Sequence, residues 1–322
     1  MQSNPKHQAD MLNEIESIIS EASSVIVQHT QEQGLCLAIE NQYGSAVISM
    51  FGGHILSYVN KSDNKERLWL SKLAIFDGKT PIRGGIPICW PWFGSHATQD
   101  DYPSHGYART QMYALVQVEE TSDSNKVINT KVTLRPFNTK QYGYSNIDMK
   151  LVVTLSDTLT VDIITINKGE ETVALTQALH AYFLVDNISQ IILKGANTLY
   201  DDKLTSTTNN DAPNEYRFTQ EVDRIHAFQH AHYSRKQTIK IIKSGGSDSP
   251  VQPHSTMQRI EQSGHDSTVV WNPWKDKSKS MNDMENNGYR TMLCIEAANT
   301  ANAEHPLLLV ANQIHKLSQK IF

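Results

Sequence analysis

Cysteine is scarce in this 322-residue chain: Cys36, Cys89 and Cys294 stand far apart with no Cys-x-x-Cys pair, which argues against both a disulfide framework and a zinc ribbon. They read as small buried hydrophobes. No apolar run approaches the ~18 residues that a membrane helix needs. The polar stretch from Met1 to Asp10 carries no secretory signal, so a soluble protein of the cytoplasm is expected. Basic charge is not in excess either. With 29 Lys+Arg against 34 Asp+Glu the formal net charge is −5, the wrong sign for a nucleic-acid partner, and any anion must be met by a local cluster of cations. Gly-x-Gly-x-x-Gly, Walker and Gly-x-Ser-x-Gly sequences are absent, which removes the signatures of dinucleotide binding, P-loop chemistry and serine hydrolysis.

What the chain does contain is short β-type segments. Leu151–Leu155 and Leu159–Ile166 are rich in β-branched residues, and Ser156-Asp157-Thr158 between them suits a hairpin loop. Val132–Phe137, Thr238–Ile242, Thr291–Ile295 and Leu307–Ala311 repeat the signal. Many short strands separated by polar turns predict an all-β sandwich or barrel. Residues from about Gln8 to Ser23 differ: Met11, Leu12, Ile15, Ile18 and Ile19 recur at helical spacing. The expected organisation is an N-terminal extension over residues 1–24 with a short helix, either packed on the body or a frayed appendage, then a single β-sandwich domain over residues 25–322. Ser244–Pro253 and Trp274–Gly288 read as exposed loops, being rich in Gly, Ser, Asn, Asp and Lys.

One stretch stands apart. Thr80-Pro81-Ile82-Arg83-Gly84-Gly85-Ile86-Pro87-Ile88-Cys89-Trp90-Pro91-Trp92-Phe93-Gly94 joins a cation, a Gly pair and an aromatic-proline wall. A Gly pair lets backbone approach a ligand closely, and Arg83 offers a planar fork of donors suited to phosphate or carboxylate. Ser104-His105-Gly106-Tyr107-Ala108-Arg109 supplies a second arginine a short loop downstream. Taken singly, each arginine is more often a solvated or salt-bridged surface residue.

These two segments resemble the D-hexose-6-phosphate mutarotases, or glucose-6-phosphate 1-epimerases, a branch of the aldose-1-epimerase superfamily. Ala178-Leu179-His180-Ala181-Tyr182-Phe183, Val270-Trp271-Asn272-Pro273-Trp274 and Met292-Leu293-Cys294-Ile295-Glu296 match the same family. Five motifs in the family's order, spanning about Val25 to the C-terminus, make the resemblance specific. It implies a large antiparallel β-sandwich of the galactose mutarotase-like type. It also implies cofactor-independent exchange of the α and β anomers of glucose 6-phosphate or another hexose 6-phosphate, with no metal.

Anomer exchange takes a proton from the anomeric hydroxyl and gives one to the ring oxygen, so it needs a base and an acid astride one bond. The resemblance assigns the acid to His180 and the base to Glu296. It gives Arg83 and Arg109 to the phosphate, with Ser104 beside them where some relatives carry glutamine. Both His180 and Glu296 occur in apolar runs, where an unpaired charge is costly; a lone histidine there is otherwise a satisfied core residue. Asp223 falls where the family has an aspartate on the sugar ring, and pairing with Arg224 or plain solvation remains open to it. Trp271 to Trp274 floor a cleft or pack the core. His105 and Tyr107 are read as packing.

Alternatives from other classes are a non-catalytic sugar-phosphate-binding module on the same fold and a glycosidase that pairs Glu296 with Asp223. A divalent-metal site on His226, His230 and His232 follows from their alternate spacing but lacks a zinc-enzyme motif. The oligomeric state is not legible in the sequence, a monomer being the simplest case.

Overall fold

The computed structural model describes residues 5–30, 32–228, 236–244, 256–300 and 307–322. Period-two alternation of apolar residues assembles most of them into antiparallel sheets. The first large sheet runs Ile191–Lys194, Lys236–Lys243, Thr256–Ser263, Ile314–Ile321, Leu159–Asn167, Ile147–Leu155, Lys126–Pro136, Tyr113–Asp123. A second runs Thr207–Asn210, Tyr200–Asp202, Val222–Ala227, Ser267–Asn272, Met292–Asn299, Gln177–Leu179, Ile88–Cys89, with Tyr182–Leu184 also paired to Met292–Asn299. A five-stranded sheet from Val25–Thr30 to Lys65–Glu66 flanks them. All three contribute to one hydrophobic core, through Leu151, Val161 and Leu317, then Leu179, Phe183, Val270 and Ile295, then Leu37, Ile48 and Tyr58. This is the β-sandwich that the alternation predicts.

The expected hairpin forms with Leu155 opposite Leu159. Thr238–Ile242 lies within the strand Lys236–Lys243, while Val132–Phe137 and Thr291–Ile295 each overlap a longer strand, Lys126–Pro136 and Met292–Asn299, with Phe137 and Thr291 falling just outside. Leu307–Ala311 yields only Leu308–Leu309, paired with Val173–Ala174. Leu308 and Val310 are exposed there, and Asn312 turns the chain at φ 62.

The helix spans Pro5–Ile19, with proline at its first position, where a missing N–H costs nothing. Ile15 is buried, and Met11, Leu12, Ile18 and Ile19 pack on the core, so of the two alternatives the helix takes the packed one. The segment from Trp274 to Gly288 corrects the exposed-loop reading. Trp274–Ser280 is helical, and Ser278 and Met284 are buried. The Ser278 hydroxyl bonds the carbonyls of Lys275 and Asn286, folding the polar stretch back on itself. All but Ser244 of the other expected loop, Ser244–Pro253, lies outside the described residues.

Phe183 is fully buried in the core and sits on a strand that pairs with Met292–Asn299. Phe183→Ala should cost ~3–5 kcal/mol, read as a lowered midpoint in urea unfolding.

Candidate active site

The strand Met292–Asn299 is buried along its whole length, so both of its faces are occupied. Leu293, Ile295 and Ala297 face the main core. Cys294 and Ala298 belong to smaller apolar clusters on the other side, and alternation puts Glu296 between them on that face. Leu179 pairs with Ala297 and Tyr182 with Cys294. That common register brings His180 opposite Glu296, in a gap where the ladder is interrupted. The His180 N–H donates to the Pro87 carbonyl at 3.1 Å, and the Ala181 N–H to Leu179 at 3.0 Å. Two residues more than a hundred positions apart thus become cross-strand neighbours.

His180 Nε2 lies 3.4 Å from Glu296 Oε1, with the side chains 12% and 2% exposed. His180 Nδ1 and Glu296 Oε2 are buried without a protein partner, which is costly unless a ligand meets them. Tyr182 stacks on the imidazole at 5.0 Å, and His105 and Trp271 approach it edge-on at 5.6 and 6.2 Å. Asp223 joins the same face: it pairs with Trp271, which pairs with Cys294. Arg224 points the other way, to Asp202 at 3.0 Å, so the Asp223–Arg224 pairing does not occur. Of the two tryptophans, Trp271 borders His180, whereas Trp274 packs on Tyr289 and the core.

The Gly pair makes the approach of Arg83 possible. Gly85 has φ 59, and a Cβ there would lie 2.1 Å from the Ile55 carbonyl, so only glycine fits. His54 Nε2 holds the Gly84 carbonyl at 2.7 Å. Arg83 Nη1 then donates to the Tyr182 hydroxyl at 2.8 Å, and Nε donates to Asp283 Oδ2 at 3.1 Å. Arg109 donates through Nη2 to the Ser104 carbonyl at 2.8 Å, and its Nε is buried without a partner. Ser104 therefore meets Arg109 through its backbone. His105, at φ 64, accepts from the Gly94 N–H and packs on Phe93 and His180. Tyr107 is buried, as expected, its hydroxyl donating to Thr139.

The electrostatics follow from this enclosure. Burial pushes the His180 pKa well below the ordinary 6.5, and repulsion from His105, Arg109 and Arg83 adds to the fall. Burial pushes Glu296 well above 4.5; the Asp223 charge raises it further and Arg109 opposes. Asp223 is raised by burial, against Lys277 and Lys203. His105 falls to about 3 through burial and the two arginines.

Ligand atoms of His180, Cys294 and Glu296 lie within 4.8 Å of one another, so a metal must be weighed. Burial, with Glu296, drives the Cys294 pKa well above 9.0. A metal needs the thiolate, and here it would join charges already supplied by two arginines; the set suits proton transfer better. His226 engages Thr198 and Tyr216 through its two ring nitrogens, while His230 and His232 lie outside the described residues. Three surface cavities of about 390, 510 and 600 Å³ open elsewhere and include neither His180 nor Glu296. Sequence reasoning missed Asp283, which sits in a stretch whose composition is that of a solvated loop.

The chain matches the aldose 1-epimerase family over residues 36–319. A protein of Escherichia coli provisionally named glucose-6-phosphate 1-epimerase is 28% identical over 285 residues, 87% of this chain and 88% of that protein. One of the same provisional name from Cenchrus ciliaris is 32% identical over 265 residues, 79% of this chain and 74% of that protein. A crystal structure of a provisionally named mutarotase from Salmonella typhimurium superposes with a TM-score of 0.73 at 25% identity, covering 97% of this chain and 98% of that one. A galactose mutarotase-like protein from Lactobacillus casei, at 20% identity and a TM-score of 0.58 over 89% and 99% of the two chains, shares the fold. With the match running through nearly all of its sandwich, the chain belongs to the aldose 1-epimerase family.

Proposed function

We propose that the protein interconverts the α and β anomers of a hexose 6-phosphate, glucose 6-phosphate first among them, by acid–base opening and reclosure of the ring. The observation that carries this reading is the buried cross-strand pair of His180 and Glu296 with one unpartnered polar atom on each. Glu296 takes the proton of the anomeric hydroxyl as His180 protonates the ring oxygen. The C1–O5 bond breaks to give the open aldehyde, C1–C2 rotation presents its other face, and the same two groups reverse roles on reclosure. Asp223, on the same face, accepts from a sugar hydroxyl. Arg109, with an idle buried Nε, and Arg83 bind the phosphate, and Ser104 serves through the carbonyl that orients Arg109. A pure binding module needs no such acid–base pair. The curated relatives' names point to the same substrate.

Proton counting supports a shared role. The productive pair holds one proton, on His180 when the ring oxygen is about to be protonated. In the empty site burial disfavours the charged form of each group, lowering the His180 pKa and raising that of Glu296. A dianionic phosphate on the arginines offsets part of the repulsion that depresses His180, which favours the protonated imidazole that ring opening needs.

Anomer exchange followed by NMR magnetisation transfer should fall ~10²–10⁴-fold in His180→Ala and in Glu296→Gln; activity surviving both changes refutes the assignment. Arg109→Ala should chiefly raise KM for glucose 6-phosphate and matter less for free glucose. In a pH profile of kcat/KM the one-proton pair predicts an acid limb below the ordinary imidazole value of 6.5 and an alkaline limb well above the ordinary carboxylate value of 4.5. An acid limb at or above the imidazole value would contradict it. Stability gives an independent check. Because the folded-state pKa of Glu296 is raised, the native state holds more protons than the unfolded chain between 4.5 and the raised value, and stability drops as pH rises through that window. Glu296→Gln should lose activity yet gain thermal stability relative to the parent, increasingly so toward higher pH. If hydrolysis of an aryl glycoside appears instead of anomer exchange, the neighbouring carboxylates Asp223 and Glu296 are acting as a glycosidase pair.

A further inference from the structure

We infer that Asp283 is a positioning residue that sets the selectivity of the site for phosphorylated over free sugar, by holding the Arg83 guanidinium in one orientation. This rests on the sugar-phosphate reading above and goes beyond it. Asp283 Oδ2 accepts from Arg83 Nε at 3.1 Å and lies 3.1 Å from Nη2. On the far side, Arg83 Nη1 donates to Tyr182 at 2.8 Å. A guanidinium clamped on both flanks cannot turn about its long side chain. The outward N–H groups of Nη1 and Nη2 are left for a ligand.

Asp283 is itself held. The next residue, Met284, is buried with Trp69, Tyr182 and Trp271. The Glu285 carboxylate accepts from the Ser71 hydroxyl at 2.9 Å, and the Arg83 carbonyl accepts from the Ser71 N–H at 3.1 Å. The ion pair is largely enclosed, at 27% exposure for Arg83 and 16% for Asp283. It therefore escapes much of the screening that makes surface pairs weak. The Asp283 charge also neutralises Arg83 when the site is empty, which leaves Arg109 as the one arginine of the two with no salt-bridge partner among the described residues. Two effects of opposite sign follow from removing it: loss of orientation weakens phosphate binding, and loss of a nearby anion strengthens it. The clamp on both flanks decides for orientation, since a long, freed side chain loses its preorganised fork.

The test compares Asp283→Ala and Asp283→Asn with the parent for KM and kcat on glucose 6-phosphate and on glucose, and for competitive inhibition by inorganic phosphate. In Asp283→Ala, KM for glucose 6-phosphate and the inhibition constant of phosphate should both rise by about tenfold, the scale of a charge-assisted hydrogen bond. The rise should fall on KM far more than on kcat, and free glucose should lose several-fold less. Asp283→Asn keeps one acceptor oxygen for Nε and should fall between; it also decides the question by the same split if the alanine variant is unstable. A lower KM for glucose 6-phosphate would show that Asp283 competes with phosphate and overturns the inference, as would equal losses on both sugars. If the parent itself does not prefer the phosphorylated sugar and Arg109→Ala changes nothing, the sugar-phosphate reading fails and this inference falls with it. A parent preference that persists in Asp283→Ala sinks the inference alone.

Discussion

The register between Met292–Asn299 and its broken partner strand is the constraint on which the site depends. Leu179 opposite Ala297 and Tyr182 opposite Cys294 leave no choice but His180 against Glu296. A slip of one residue would turn Glu296 into the main core and put Ile295 or Ala297 in the site. The core forbids that slip, because Leu293, Ile295 and Ala297 fill it on the opposite face. Hydrophobic burial on one side of a strand thus fixes which polar side chains meet on the other. The interruption at His180 serves the same end: its N–H turns to Pro87 and leaves the ladder, freeing local backbone geometry while Tyr182 resumes pairing two residues on.

What the sequence made legible follows from how local each signal is. The β-branched runs at Leu151–Leu155 and Leu159–Ile166 and the helical spacing of Met11 to Ile19 are short-range patterns, and they survive folding nearly unchanged. His180, Glu296 and the two arginines are visible as chemistry-bearing residues in ordered motifs, but their meeting is a long-range pairing that no window of sequence contains. Asp223 and Arg224 show the limit well: adjacent opposite charges suggest a pair, yet strand alternation sends one to the Glu296 face and the other to Asp202. Asp283 was hidden for a different reason. Its surroundings are polar because Ser278 and the nearby backbone satisfy one another internally, and composition does not separate that from solvation.

Charge organises the site more than shape does. A chain of net charge −5 concentrates two guanidinium groups near a buried imidazole and a buried carboxylate, and the consequence is a pair of pKa values displaced in opposite directions. Neither group is set for its task in isolation. Burial and nearby cations lower the His180 pKa, burial and Asp223 raise that of Glu296, and a bound anion relieves part of the repulsion on His180. On the proposed reading, a phosphate dianion is the ligand group whose charge would act on both arginines at once and so relieve part of the repulsion on His180.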